Sequence, residues 1–377
     1  VSTGWGVIGC GWVARDHVLP GLRAVEGAHL AAVHDRDPTA AATLAATVPS
    51  QVQQSHAAAT TLRESGIAAT GPGRQESHVQ DRIRPERGFA DAPGHVVVAP
   101  DVAGLLAVPG VEAVYVATPT HAHVEPVAAA AAAGVPVLCE KPLAPDADGA
   151  RALVAAAGDG LAGCAFDQRF HPAHRRIAEL VADGELGTVT AVRISYACWL
   201  PADWTPDGRP HDNWRVAPGG GAVIDLAPHG IDLVGVLLGG DDLEHLQVTL
   251  QSRVHDYPVD DGGLLAGRTA GGVLYSAHVA FNTPDALPRR RLEVVGTRAA
   301  LVAVETLGQT AGGRLTRLDA DTGAAVDVPF DTATSPFTAQ LAAFTAAVTG
   351  EAPWEYPLSR DLALHDLLMT ARERSPR

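Results

Sequence analysis

The sequence predicts an α/β protein in two parts. The first is a doubly wound parallel sheet, and the second is an α+β domain with a large, mostly antiparallel sheet. Three observations carry this reading. The first half alternates apolar strand runs with helical stretches through short loops, the pattern of parallel strands joined by crossover helices. The second half strings short strands together through turn residues with few helices between them. With 377 residues, 46% of them hydrophobic, the chain can bury two sizeable cores.

Trp5 to Ile8 reads as a buried first strand. It runs into Gly9-Cys10-Gly11-Trp12-Val13-Ala14, a G-x-G-x-x-A turn that opens a helix. In a dinucleotide-binding (Rossmann) turn the first glycine permits the tight bend and the second lets a pyrophosphate approach the backbone. The small third residue lets the helix pack on the strand, and the helix N–H groups meet the phosphates. A second strand, Leu30 to Val33, ends at His34-Asp35-Arg36-Asp37. Asp35 falls where an acidic residue takes the ribose hydroxyls, and Arg36 can stack on adenine or meet a 2′-phosphate. NAD is therefore the expected cofactor, with NADP possible through Arg36.

The next strand, Val111 to Ala117, ends in Thr118-Pro119-Thr120-His121-Ala122-His123. A helix from Val124 to Ala133 follows, and then a strand from Val135 to Cys139 delivers Glu140-Lys141-Pro142. A helix over about 146–157 and a strand over about 161–166 complete the domain. Ligands of such sheets sit at the carboxyl ends of the strands, and Gly9, Gly11, Asp35, Pro119 and Lys141 all fall there. Residues 50–97 break the pattern with mixed charge, no sustained period and Gly-Pro punctuation. They read as an insertion, either a surface excursion or an oligomer contact.

Lys141 stands out for another reason: it is the only lysine among 28 lysine and arginine residues. An ammonium is a compact, ionisable donor, which a guanidinium is not, so the exception marks a position where chemistry needs an ammonium.

From residue 169 the second domain begins, with a helix at Pro172 to Asp183. Strands are expected near 188–198, 245–255, 263–268, 272–281, 290–296 and 299–304. Between the first two lies Gly219-Gly220-Gly221-Ala222-Val223-Ile224-Asp225-Leu226-Ala227-Pro228-His229. A helix from Ala222 puts Asp225 and His229 four apart on one face, kinked by Pro228. A histidine beside a carboxylate makes an acid/base pair whose pKa lies near neutrality. Trp199, Trp204 and Trp214, with Arg215 adjacent, lie in a polar loop. Their indoles suit either a sugar face or a subunit contact.

A net charge of −15 argues against a nucleic-acid surface or an anionic membrane. No apolar run has the length of a transmembrane helix. The chain opens on a strand pattern with no charged n-region and h-region, so no signal peptide is expected. Cys10, Cys139, Cys164 and Cys198 form no C-x-x-C pair, which fits reduced thiols in a cytoplasmic enzyme. His121-x-His123 and His171-x-x-His174 lack a full zinc spacing, so no metal is expected.

In order and spacing the chain resembles the glucose–fructose oxidoreductase/inositol dehydrogenase/MocA family. The likeness rests on the Gly9-to-Ala14 turn, Val116-Ala117-Thr118-Pro119 with His123, and Cys139-Glu140-Lys141-Pro142. It continues through Arg169-Phe170-His171-Pro172, Gly187, the Gly219-Gly220-Gly221 helix with Asp225 and His229, and Glu293-Val294-Val295-Gly296-Thr297. Only 50–97 falls outside it. The resemblance implies a nicotinamide-dependent oxidoreductase acting on the alcohol or ketone of a sugar, inositol or sugar derivative. Lys141, Asp225 and His229 would lie at the reacting oxygen, and Lys141-Pro142 would be cis. The cofactor would be held by Gly9, Gly11, Trp12, Val13, Ala14, Asp35, Arg36, Thr118, Pro119, His123, Glu140 and Lys141. Arg169, Trp214 and Arg215 would meet substrate. Gln168 stands where many members carry tyrosine, which alters the expected pocket wall. Homodimers or homotetramers are expected, because open antiparallel sheets tend to be covered by a partner. Two other readings keep the fold: a non-catalytic dinucleotide-binding regulator, and a dehydrogenase of a non-sugar diol.

Overall fold

A computed structural model of the chain describes residues 2–48, 95–205 and 213–375. The expected insertion therefore lies outside the described residues except for its last three positions, and Val97 already belongs to a strand.

The first sheet has six strands: β1 (Thr3–Ile8), β2 (Ala28–His34), β3 (Val97–Val98), β4 (Ala113–Val116), β5 (Val137–Glu140) and β6 (Ala162–Ala165). They run in the order β3-β2-β1-β4-β5-β6, every pair parallel. This is the doubly wound order that reverses direction between β1 and β4, and the crevice at that switch point takes the ligand. Helices cover both faces, which is why β1 and β4 are buried at every position. A wide π turn over Ala14–Val18 leads into α1 (Leu19–Ala24). The other helices are α2 (Pro38–Ala46), α3 (Val102–Leu106), α4 (Val124–Ala132) and α5 (Ala147–Ala157). Asp37, Asp101 and Asp146 start α2, α3 and α5, each side chain accepting from a backbone N–H of the first turn.

The second sheet has eight strands, ordered β14-β13-β12-β11-β7-β10-β9-β8. Its strands are β7 (Val189–Ala197), β8 (Leu243–Gln251), β9 (Gly262–Thr269), β10 (Leu274–Ala280), β11 (Arg290–Gly296), β12 (Ala299–Val304), β13 (Arg314–Asp319) and β14 (Ala325–Asp327). Neighbours are antiparallel except β7 and β10, which are parallel. β13 and β14 were not anticipated from the sequence. They lie at the sheet edge, where only Leu315 is buried, so no alternation of apolar residues marks them.

α7 (Ala222–Leu237) packs on β7, β8, β9 and β10, with α6 (Pro172–Ala182) laid against it. α7 runs unbroken past Pro228 and is buried at every position but Val236, since it is sandwiched rather than laid on a surface. The chain then returns to the first domain. α8 (Pro336–Val348) packs on α1, Gly21 leaving space for Leu341, and Trp5 donates its indole N–H to Thr345 Oγ1 at 3.3 Å. α9 (Leu358–Glu373) packs against both α5 and β8 and so touches both domains.

Candidate active site

The cleft between the domains is built from the carboxyl edge of the first sheet and the amino-terminal half of α7. Gly9 adopts φ +93°, and a Cβ there would lie 2.7 Å from the Ala117 and Thr118 backbone, so only glycine fits the turn. A Cβ on Gly11 would meet nothing within 4 Å, which leaves the open approach that a pyrophosphate needs. Trp12 and Val13 are half-buried at the mouth of the helix, and Ala14 is buried beneath it. At the end of β2 the Asp35 carboxylate is pinned by two backbone donors, Cys10 N–H at 2.6 Å and Asp37 N–H at 2.8 Å. Arg36 is exposed beside it. Across the switch point Thr118 and Pro119 follow β4. The residues present therefore fit a dinucleotide along the edge of β1, β2 and β4.

His123 departs from the expectation that it meets the cofactor. It is 1% exposed, and its two ring nitrogens lie 3.0 Å from Thr118 O and 3.2 Å from Leu143 O. Packed between the loops after β4 and β5, the neutral ring donates to one of the two carbonyls. Glu140 likewise faces inward. Its carboxylate accepts from Tyr115 Oη at 2.7 Å and from Lys141 N–H at 3.1 Å, and burial raises its pKa.

Lys141 follows β5, and the Lys141–Pro142 bond is cis. Its ammonium donates to Asp225 Oδ1 at 2.8 Å and to the Asp225 carbonyl at 3.0 Å. An ammonium has three donors, so one remains for the cleft. Arg215 donates from Nε to the other oxygen, Asp225 Oδ2, at 3.2 Å. Burial would raise the Asp225 pKa, but Lys141 and Arg215 overcome it and hold the carboxyl at about 2. Arg215 also stacks over the Trp214 ring at 4.7 Å and faces Trp12 at 5.9 Å. Trp204 meets Trp12 edge-on at 6.0 Å, so the indole loop of the second domain closes on the glycine turn of the first. Trp199 lies apart, 38% exposed against His255.

Asp225 and His229 do share a helix face, but the carboxylate does not orient the imidazole. It is committed to Lys141 and Arg215. The carboxylate that faces His229 Nδ1 is Asp167, 3.6 Å away at the carboxyl end of β6. His229 is 4% exposed, with Phe166 and Tyr196 rings at 6.0 and 5.7 Å. Burial, and then the Lys141 charge, hold its pKa well below the ordinary histidine value. At neutral pH the ring is therefore a neutral base. A neutral imidazole and an ammonium at one cleft can together bind an alcohol oxygen, remove its proton and stabilise developing negative charge.

Arg169 is a correction. It is 0% exposed and bonds Asp232 at 2.9 and 2.8 Å and also Asp361, so it braces the domains and does not reach the cleft. Gln168 is no pocket wall either. It is 1% exposed and donates to Asp167 Oδ2 and to Gly308 O. Sequence reasoning missed Asp167 and Tyr196. The signal for Asp167 was its place just beyond β6, the same carboxyl-end rule that selects Lys141. Tyr196 had none, because it is one of several residues facing inward from a long strand. Among the described residues no cluster of His, Cys, Asp or Glu could hold a metal ion. No described helix is long and apolar enough to cross a membrane.

Fold and cleft define a dinucleotide-binding oxidoreductase. The chain matches the oxidoreductase family model with an NAD-binding Rossmann fold over residues 3–160, and the GFO/IDH/MocA C-terminal domain over residues 174–302. It is 32% identical over 304 residues to the 1,5-anhydro-D-fructose reductase of Ensifer adhaerens, spanning 78% of this chain and 86% of that one. It is 34% identical over 258 residues to D-xylose 1-dehydrogenase (NADP(+)) 2 of Haloferax volcanii, spanning 66% and 74%. The chain belongs to the GFO/IDH/MocA family of oxidoreductases. The solved aldose-aldose oxidoreductase of Caulobacter crescentus shares its fold with a TM-score of 0.74, over 99% of this chain and 98% of that one, at 19% identity. An Agrobacterium radiobacter oxidoreductase in complex with NAD+, L-tartaric acid and magnesium does so with a TM-score of 0.72, over 99% and 96%, at 18% identity.

Proposed function

We propose that the protein oxidises a secondary alcohol, or reduces the corresponding ketone, of a sugar, inositol or sugar derivative, with NAD preferred over NADP. The observation that carries this is the meeting of Lys141, Asp225 and His229 beside a glycine turn open to a pyrophosphate. The sugar-acting relatives support the substrate class.

When bound, the dinucleotide supplies hydride exchange at nicotinamide C4. Gly9, Gly11, Trp12, Val13 and Ala14 hold its phosphates, Asp35 accepts from the ribose hydroxyls, and Thr118 and Pro119 line its path. His229 takes the proton of the substrate hydroxyl in oxidation and returns it in reduction. Lys141 donates to the same oxygen, and Asp225 aims Lys141. Arg215 and Trp214 meet the remaining polar and apolar faces of the substrate. Asp35, fixed by Cys10 and Asp37 N–H groups, repels a 2′-phosphate at that place.

The dinucleotide domain ends near residue 168, and the substrate domain follows. The enzyme is cytoplasmic, in keeping with four free thiols. It is a homo-oligomer joined through the uncovered face of the second sheet, where Leu264 and Leu274 of β9 and β10 are 57% and 60% exposed. Light scattering on the purified protein tests that assembly.

The function is tested with a panel of sugars, inositols and nucleotide sugars in the presence of NAD+ and NADP+, read by absorbance of the reduced nicotinamide. Turnover of a polyol or sugar with NAD+ is expected. Tight NAD+ binding with no turnover across the panel would favour the regulator reading.

A further inference from the structure

Beyond the acid/base pair itself, a neutral imidazole poses a question the cleft must answer. One ring nitrogen carries a proton and the other a lone pair, and only the lone pair can accept the substrate's proton. The choice is set by what the inner nitrogen faces. In this protein Nδ1 is the inner nitrogen: it is buried and has no hydrogen-bond partner within ordinary length. What it faces is the carboxylate of Asp167, at 3.6 Å.

We propose that Asp167 is a positioning residue for His229: it keeps the ring proton on Nδ1 and leaves the Nε2 lone pair to the substrate oxygen. This rests on the oxidoreductase reading above for its consequence, though not for its geometry.

Four observations support the assignment. The carboxylate four residues before His229 is not free for the task, since Lys141 and Arg215 occupy both oxygens of Asp225. The ring is otherwise flanked by the aromatic faces and edges of Phe166 and Tyr196, which accept no proton from Nδ1. Asp167 is itself held. Gln168 Nε2 donates to its Oδ2 at 2.9 Å and to Gly308 O at 2.8 Å. Gln340, its amide oxygen turned toward the chain, accepts from the Phe166 and Asp167 N–H groups at 3.2 and 3.0 Å. With Oδ2 taken by Gln168, Oδ1 is the atom presented to His229. Finally, Asp167 is 3% exposed, so its interaction with the ring is little screened. A separation slightly beyond hydrogen-bond length is common for catalytic pairs that tighten only in the reactive complex.

Charge balance points the same way. As the substrate C–H electrons leave as hydride, the O–H proton moves to Nε2, the C=O bond forms, and the ring becomes an imidazolium in a buried site. Lys141, Arg169 and neighbouring His174 all disfavour that charge, and Asp225 favours it but is shared with two cations. Asp167 supplies the missing counter-ion on the Nδ1 side. Its own carboxyl is raised to about 7 by burial and by Glu140, against the pull of Lys141 and the Gln168 hydrogen bond. Above that pH Asp167 is the anion that accepts from Nδ1–H, so the tautomer and its 15N readout belong to the ionised carboxylate, at about pH 8.

Asp167→Asn replaces the carboxylate with an amide of the same shape. Gln168 Nε2 would keep the oxygen of the new amide, so its NH2 would point at Nδ1. The ring would then carry its proton on Nε2, where it blocks rather than accepts, the consequence known for the triad aspartate of serine proteases. Solid-state 15N spectra of the 15N-histidine-labelled protein with NAD+ bound read the tautomer directly, with His229→Gln identifying the signal. The wild-type protein is expected to show a protonated Nδ1 and a lone pair on Nε2, and Asp167→Asn the reverse. Kinetics give the second readout on whichever panel substrate turns over. Asp167→Asn is expected to lower kcat on the order of 10²-fold or more, with KM and the NAD+ Kd within about twofold and Tm not lowered. A wild-type ring protonated on Nε2, or a tautomer unmoved in Asp167→Asn, overturns the proposal without any substrate in hand. So does a loss of kcat that comes with matching losses in Tm and NAD+ binding, the signature of a purely structural residue. The expected tautomers with no turnover of any substrate would uphold the positioning role and sink the proposed function instead.

Discussion

Two buried clusters of charge lie within a few residues of each other in this protein, and they are built for opposite ends. In one, Arg169 bonds Asp232 and Asp361, and Arg360 bonds Asp232 and Asp242. The Arg169 guanidinium is clamped between the Phe166 and Tyr356 rings at 4.6 and 4.4 Å. In the other, Lys141, Arg215, Asp225, His229 and Asp167 surround a cleft. The first cluster is packed shut, its planar forks set on carboxylates beneath aromatic lids, with Arg169 Nη1 and Asp361 Oδ2 buried but unpartnered. The second is left open: one ammonium donor is uncommitted and the imidazole has no full hydrogen bond. Closure makes a brace between α7, α9 and the end of β6. Incompleteness makes a site, because polar groups left short of partners in a buried cleft are ready for a ligand to complete them.

Changes at the open cluster should act on chemistry first. His229→Asn is expected to retain fold and NAD+ affinity while turnover falls by about 10² to 10⁴. Lys141→Arg should be nearly as damaging, because a fork cannot replace a compact ammonium between Asp225 and a substrate oxygen. Steady-state kinetics beside NAD+ calorimetry check both. Near-normal turnover in either variant would move the chemistry elsewhere.

At the closed cluster the loss should appear in stability instead. Arg169→Leu leaves Asp232 and Asp361 buried without their main partner, and a cost of about 3–5 kcal/mol is expected in urea unfolding. An Arg169 variant of normal stability but lost activity would return this residue to the substrate site.

The two carboxylates around His229 and Lys141 sharpen the contrast through pH. Asp167 is raised from 3.8 to about 7, by burial first and then by Glu140. Its favourable contribution is full below the unfolded value of 3.8 and is lost as pH rises through about 7. Asp167→Asn should therefore match the wild type near pH 4 and exceed it in unfolding free energy at pH 8, by a few kcal/mol at most at about 1.4 kcal/mol per pKa unit. Asp225 runs the other way. Lys141 and Arg215 overcome its burial and lower it to about 2, so it contributes stability above 3.8 that is lost as pH falls through about 2. Asp225→Asn should be less stable than the wild type at neutral pH. Calorimetric melts of the two variants with slopes of the same sign would contradict this assignment.

The smallest effect is expected at the cofactor end. Asp35→Ala should weaken NAD+ about tenfold and strengthen NADP+, since a charged acceptor for the ribose hydroxyls is removed. Titration calorimetry with both cofactors measures it. Tighter NADP+ binding by the wild type would mean that exposed Arg36 governs the choice.

Local sequence determined a good deal of this protein. Glycines at 9 and 11, an acid after β2 and a lone lysine after β5 are demanded by backbone conformation and by ammonium chemistry, and both act over a few residues. They were legible, as were the alternation of strands with helices and the i, i+4 spacing of Asp225 and His229. Sequence could not decide which carboxylate serves which cation. Asp225 belongs to Lys141, 84 residues away, and Asp167 to a histidine 62 positions on; only the docking of α7 at the carboxyl ends of β5 and β6 makes those pairings. For the same reason Arg169 and His123 read as ligand contacts but proved to be internal ties. Their chemistry is that of a binding site, and burial, a property of the assembled fold, directs it inward.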